Sequence, residues 1–191
     1  MINDSALQFW LDGQDSTLVA PNENLGRELM ELFVLGVDRY TEEDVKAAAR
    51  ALTGYQVVNY AGTLTFNPKR HDPNPITILG TTQAFNGESL SDFLVARNDN
   101  ATFIAERLWY RFISSSQPMP ATFSAKSAFV NREISAAVNA MANDSAIRDE
   151  KNDLVKAPVE WFIAACRALE LTPSQLKTPA QMLNFLDKLG Q

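Results

Sequence analysis

The sequence predicts a mainly α fold, an irregular helical bundle with a small β-hairpin insertion near residues 55–80. Three observations carry this. Apolar residues recur at helical spacing on both sides of that insertion. Alternation with a period of two, rich in β-branched and aromatic residues, is confined to Tyr55–Gly80. Helix starts and stops bracket the periodic stretches, as in Thr41 followed by Asp44, or Gly36 after an apolar run. With 191 residues and 46% hydrophobic content, one sizeable core is expected, hence a single helical domain over 1–191.

The elements follow in order. Residues 4–12 read as a short helix with Ala6, Leu7, Trp10 and Leu11 inward and Gly13 as its stop. After a loop over 13–21, a helix is expected over 24–35. Asn24 is read as its N-cap and Gly36 as its end. Leu25, Leu29, Leu32 and Phe33 form its apolar stripe. Asn24, Arg27, Glu28 and Glu31 form a second, polar stripe. The next helix opens on Thr41-Glu42-Glu43-Asp44, turns Val45, Ala48, Ala49 and Leu52 inward, and closes near Thr53-Gly54.

The β region begins with Tyr55–Tyr60 and Thr63–Phe66 as a hairpin around Ala61-Gly62. Pro68, Pro73 and Pro75 hold Lys69-Arg70-His71-Asp72 in an extended loop. Ile76–Gly80 reads as one more short strand. Helices resume at Ser89–Ala96. The next is capped by Asn100 and carries Ile104, Leu108, Phe112 and Ile113 as its core stripe, flanked by Arg107 and Arg111. A break at 116–120 precedes two modest helices, 121–130 and 132–142. A strong helix runs from Lys156-Ala157-Pro158 to Leu171, and a last one over 174–189 restarts at Pro179.

Composition excludes several chemistries. The single cysteine, Cys166, rules out an intrachain disulfide, and its apolar surroundings suit a buried thiol. His71 is the only histidine, so a zinc site of the usual His/Cys type cannot be built from this chain alone. Net charge is −6, and residues 1–50 hold ten acids against four bases. No basic stripe with interleaved aromatics is present, which argues against nucleic acid as a partner. No apolar run has the length of a membrane span, and the N-terminal residues are not a signal peptide.

Two blocks, Asn22–Val37 and Tyr40–Val45, resemble a large bacterial family known as domain of unknown function 1800. Ala49–Gly54, Phe66, His71-Asp72 and Leu79-Gly80 continue the pattern, as do Ala101–Leu108, Arg111-Phe112, Lys156–Glu160 and Arg167–Leu169. Two departures stand out. Relatives often carry His where Phe33 stands, and Gly and Lys where Asn74 and Ile76 stand, so a site relying on that His or Lys would be weakened here. By this comparison the chain is expected to be a central or C-terminal piece of a longer domain. The resemblance also implies an exported or periplasmic setting and a gene neighbour resembling a sulfatase.

Two functions are weighed. The first is a binding or accessory module acting with a protein partner, through the acidic first quarter as a docking face. The second is an enzyme or divalent-metal site. Its candidate polar residues are Asn24, Arg27, Glu28, Glu31, Arg50, His71 and Asp72. Glu28, Glu31 and His71 would be the metal ligands of an oxygen-rich site, or Glu28 would tune His71 as an acid–base group. The plainer alternatives are an Arg27–Glu31 surface pair, an Arg50 ion pair with Glu28 or Glu31, and a loop-anchoring His71-Asp72. Trp10, Trp109 and Trp161 would serve as polymer platforms only if exposed, and all three are expected in the core.

Overall fold

In the computed structural model, residues 2–58, 62–172, 175, 179–188 and 190 are described. The fold is mainly α. In order, the elements are α1 (Ser5–Trp10), α2 (Glu23–Glu28), α3 (Glu42–Ala51), β1 (Tyr55–Val58), β2 (Thr63–Phe66), β3 (Ile76–Ile78), β4 (Thr81–Gln83), α4 (Gly87–Ala96), α5 (Asn98–Phe112), α6 (Ser124–Ala128), α7 (Ile134–Asn143), α8 (Pro158–Ala168) and α9 (Pro179–Lys188). The expected hairpin turn at Ala61 and the opening of the last helix at Pro173-Ser174 lie outside the described residues.

The first core gathers α1 to α4. Leu25 and Leu29 of the α2 region meet Val45, Ala48 and Leu52 of α3, with Ile76 and Ile78 of β3 and Leu90 and Leu94 of α4. The inward face expected for α3 is buried as read. In α1, Leu11 is buried but Trp10 is exposed, and Gln8 takes the core position, its amide donating to the Ile2 carbonyl at 2.8 Å. That bond satisfies the amide nitrogen, while the buried Oε1 has no hydrogen-bond partner among the described residues, so the position carries a desolvation cost.

Two corrections concern the central helix. Its N-cap is Asn22, whose side-chain Oδ1 accepts from Asn24 N–H at 2.8 Å, so Asn24 is already inside. From Leu29 to Val34 the helix widens into a π turn, and Leu35 N–H reaches back five residues to the Met30 carbonyl at 2.7 Å. The wider turn shifts the faces. Met30 and Val34 enter the core, while Leu32 and Phe33, read as core, face out at 59% and 42% exposure. Gly36 ends the element at φ +88°, a conformation open to glycine, and its N–H also goes to Met30.

The β region holds two two-stranded antiparallel sheets. Tyr55 faces Phe66 and Val58 faces Thr63 in the first. The second is a hairpin that the sequence reading truncated to one strand. Ile78 pairs with Thr81, and Leu79-Gly80, both at positive φ, make the two-residue turn.

A second core lies among α5, α6 and α7, built on Ala101, Ala105, Trp109, Ile113, Phe123 and Phe129. This stripe differs from the expected one: Ile104 and Leu108 pack at its edge and Phe112 is exposed. Asn100 does not cap α5, which starts at Asn98. Its buried amide donates instead to the Val34 carbonyl at 3.0 Å, joining α5 to the end of the π turn. Arg39 Nη2 lies 2.7 and 2.8 Å from the two Glu106 carboxylate oxygens, and Nη1 donates to the Leu35 carbonyl.

α8 buries no residue, and it meets α9 through Trp161 and Phe162, whose rings lie 6.1 and 5.8 Å from Phe185. Of the three tryptophans only Trp109 is in a core, its indole N–H donating to the Gln117 carbonyl. Trp10 and Trp161 are exposed. No helix among the described residues is long and apolar enough to cross a membrane.

Candidate functional site

Three polar networks form around the central helix, and they sort the candidate residues differently from their sequence stripe. The first centres on Arg27. Its guanidinium grips Glu42, at the first turn of α3, through two bonds of 2.7 and 2.8 Å, with Glu23 at 3.4 Å. The expected partner, Glu31, is not in this pair. The Arg27 contact holds the Glu42 carboxyl below the usual carboxylate range.

The second joins Glu31 to Tyr40, whose hydroxyl donates at 2.6 Å. Burial and that bond push the Tyr40 hydroxyl up to about 12. A neutral phenol is favoured because its proton is held between two oxygens, one already charged.

The third is the densest. Arg50 Nε, near the end of α3, donates to Asp72 Oδ2 at 2.6 Å. The pair expected with Glu28 or Glu31 is thus made with the loop aspartate. Asp72 Oδ1 accepts from the backbone and side-chain amides of Asn74 at 3.1 and 2.7 Å. Burial opposes ionisation of Asp72, but Arg50 and the two Asn74 donors outweigh it and hold the carboxyl low.

Thr53 ties the third network to His71. Its hydroxyl donates to the Arg50 carbonyl at 2.7 Å and accepts from Asp72 N–H at 2.9 Å. His71 Nδ1 lies 3.1 Å from the Thr53 carbonyl and 3.2 Å from the Thr53 hydroxyl. With the hydroxyl proton given to the Arg50 carbonyl, both oxygens accept, which favours the tautomer protonated at Nδ1 and leaves Nε2 facing away from this contact. Gly54 permits this approach. It sits at φ +96°, and a Cβ there would lie 3.0 Å from both His71 Cβ and the Phe66 ring.

Arg50, His71 and Asp72 are therefore brought together. Asn24 and Glu28 make no side-chain hydrogen bond or ion pair among the described residues, and Glu31 is engaged by Tyr40. Among the described residues no group of three or more His, Cys, Asp or Glu side chains is placed to hold a metal ion. The sequence reading missed Tyr40, Thr53 and Asn74. The signal for Thr53 was its place directly after the end of α3, where a hydroxyl reaches the last carbonyls.

A groove lies beside the π turn. It has a volume of about 460 Å³, with Ile2, Leu29 and Val34 as its floor and Phe33 and Val95 as its walls. Glu88 and Asp92, one turn apart on α4, stand at its rim, and neither has a basic partner among the described residues. A smaller cleft of about 280 Å³ shares Asn3 and Glu88 with it and extends to Tyr55 and Phe66. The Phe66 ring centroid lies 5.3 Å from both Tyr55 and His71. An aromatic ladder thus connects the groove to the third polar network.

Comparison with known proteins adds a family. The profile described as "Protein of unknown function (DUF1800)" matches residues 1–191. No curated protein and no solved structure matches the chain.

Proposed function

This chain belongs to the DUF1800 family, and on that premise we propose that it is a helical binding module that acts with a protein partner. The observation that supports this reading is the groove at the π turn. A regular helix would have buried Leu32 and Phe33. The π turn instead presents both to solvent, and Phe33 walls a cleft with an apolar floor. π turns persist where their strain serves a purpose. The rim chemistry narrows the partner to a segment carrying both apolar and basic side chains. Glu88 and Asp92 are spaced for Lys or Arg one helical turn apart, which fits an amphipathic helix laid in a groove. The acidic excess of residues 1–50 would steer such a segment toward this face.

The test is a titration of the full chain with a fluorescein-labelled amphipathic helical peptide of Leu and Lys, read by anisotropy. Saturable binding is expected, weakened about tenfold (about 1.4 kcal/mol) by Phe33→Asp. No binding, or equal binding by the variant, would overturn the groove assignment.

A second reading places an acid–base group at His71. Its support is the favoured Nδ1–H tautomer, which leaves Nε2 free to take a proton from a ligand reaching past Phe66. In its metal version, Glu28, Glu31 and His71-Asp72 would have to come together around a divalent cation, a grouping that the present packing does not make among the described residues. Thermal unfolding with and without Ca²⁺, Mg²⁺, Mn²⁺ or Zn²⁺ tests that version, since a bound ion raises the melting temperature by mass action. A rise that disappears in Glu31→Ala would favour it, and no rise with any ion would remove it.

A further inference from the structure

A different cleft opens between the C-terminal end of α5 and the segment leading into α8. Its volume is about 730 Å³, and Tyr110, Arg111, Ser115, Val155 and Lys156 line it. Hydrogen bonds lace its two walls. Ser115 N–H donates to the Asp153 carbonyl and Ser115 Oγ accepts from Val155 N–H, each at 3.0 Å. The Ser116 hydroxyl donates to the Asp153 carboxylate. Lys156, next along from Val155, is therefore carried on a segment tethered just beyond the C-terminal end of α5.

The charges in this cleft are unbalanced. Neither Arg111 nor Lys156 has a carboxylate within ion-pair distance among the described residues. Arg111 instead lies over the Tyr110 ring, 6.0 Å from its centroid. The one acid of the lining, Glu160, accepts from Ala157 N–H at 3.3 Å and so closes the first turn of α8. What marks the cleft is that Arg111 and Lys156 line it together, with Arg111 over an aromatic ring and the one lining acid bonded to a backbone N–H. Arg offers a planar fork for an oxyanion and Lys a point charge, while Tyr110 and Val155 offer apolar surface.

We propose that this cleft binds a small organic anion, with its carboxylate or phosphate held by Arg111 and Lys156 and its apolar body against Tyr110 and Val155. The two parts of the ligand are separable. The anionic group supplies orientation and charge pairing, and the body supplies desolvation, so neither part alone matches the whole.

The experiment is a two-dimensional amide NMR titration of the full chain with phenyl phosphate, benzoate, inorganic phosphate and benzyl alcohol. Phenyl phosphate and benzoate are expected to shift the Tyr110, Ser115 and Ala157 amides saturably. Inorganic phosphate and benzyl alcohol should each bind about tenfold more weakly or worse. If phenyl phosphate alone binds, the anion is a phosphate; if benzoate alone binds, it is a carboxylate. Arg111→Gln and Lys156→Gln should each weaken binding about tenfold while leaving the melting temperature unchanged, because both side chains are exposed. Phe33→Asp should leave it intact, which separates this cleft from the π-turn groove. No shift with either organic anion, or equal binding by Arg111→Gln and Lys156→Gln, would overturn the proposal.

Discussion

The Asp44 carboxylate accepts the Leu79 backbone N–H at 2.6 Å through Oδ1, while Oδ2 accepts the Thr41 N–H and hydroxyl at 2.9 and 2.7 Å. One buried side chain thus closes the start of α3 and pins the β3–β4 turn. Leu79 stands at φ +49°, a left-handed conformation that costs a non-glycine residue about 1–2 kcal/mol. The bond from Asp44 offsets that cost and fixes the β3–β4 hairpin against α3.

Asp44→Ala removes the reciprocal half of the capping box and the turn anchor together, leaving the Thr41 N-cap bond to the residue 44 N–H. We expect a loss of about 2–3 kcal/mol, seen as a fall of roughly 5–10 °C in the melting temperature by circular dichroism. Thr41→Ala removes only the cap and should cost about 1 kcal/mol. Equal losses would show that the Leu79 bond contributes nothing.

Acid should destabilise the chain through its hydrogen-bonded carboxylates. Burial opposes ionisation of Asp44, but the Leu79 and Thr41 donors prevail. Arg50 and Asn74 do the same for Asp72, while the Ser124 hydroxyl and the Ala146 N–H hold Asp144 low. A depressed folded-state pKa means that the unfolded chain takes up protons first. The stabilisation is complete above the unfolded carboxylate value of about 4 and fades as pH falls through the lower folded values. Urea unfolding between about pH 6 and pH 3 should show this decline, and Asp72→Asn should flatten it.

Tyr40 makes the opposite prediction at the alkaline end. Its folded pKa of about 12 lies above the unfolded value near 10. The contribution is whole below about pH 10 and is lost as pH rises toward 12, because the unfolded phenol ionises first. Tyr40→Phe should remove that part of the alkaline decline, as measured by unfolding at stepped pH.

The phase of the π turn can be checked by two truncations. Met30→Ala, at a fully buried position, should cost about 2–4 kcal/mol. Leu32→Ala should change stability by less than about 0.5 kcal/mol. A regular helix would reverse the order, so denaturant midpoints of the two variants decide between the geometries.

These residues also mark what periodicity could and could not tell. The α3 face and its capping box followed from spacing, because a regular helix repeats every 3.6 residues and Thr41-x-x-Asp44 needs only local reach. The same arithmetic failed four residues past Leu25, where the π turn adds a residue per loop and no residue type signals it. The candidate polar stripe divides among separate networks once the chain packs. Arg27 found Glu42 and Arg50 found Asp72, partners 15 and 22 positions away, and such pairings depend on how helices and loops pack. Asn100 shows the same limit, since a residue read as a cap became a buried tie to Val34. His71 and Asp72 are both tied to Thr53, a residue that carries no motif of its own.

If the groove at the π turn reads apolar and basic side chains together, reversing its rim charge should reverse its preference. Wild-type chain and the Glu88→Lys/Asp92→Lys variant would each be titrated with the Leu/Lys helix and with a matched helix of Leu and Glu. The account predicts that the wild type prefers the Leu/Lys helix by about tenfold and that the variant prefers the Leu/Glu helix. Unchanged preference in the variant would contradict it, because the rim carboxylates would then play no part in recognition.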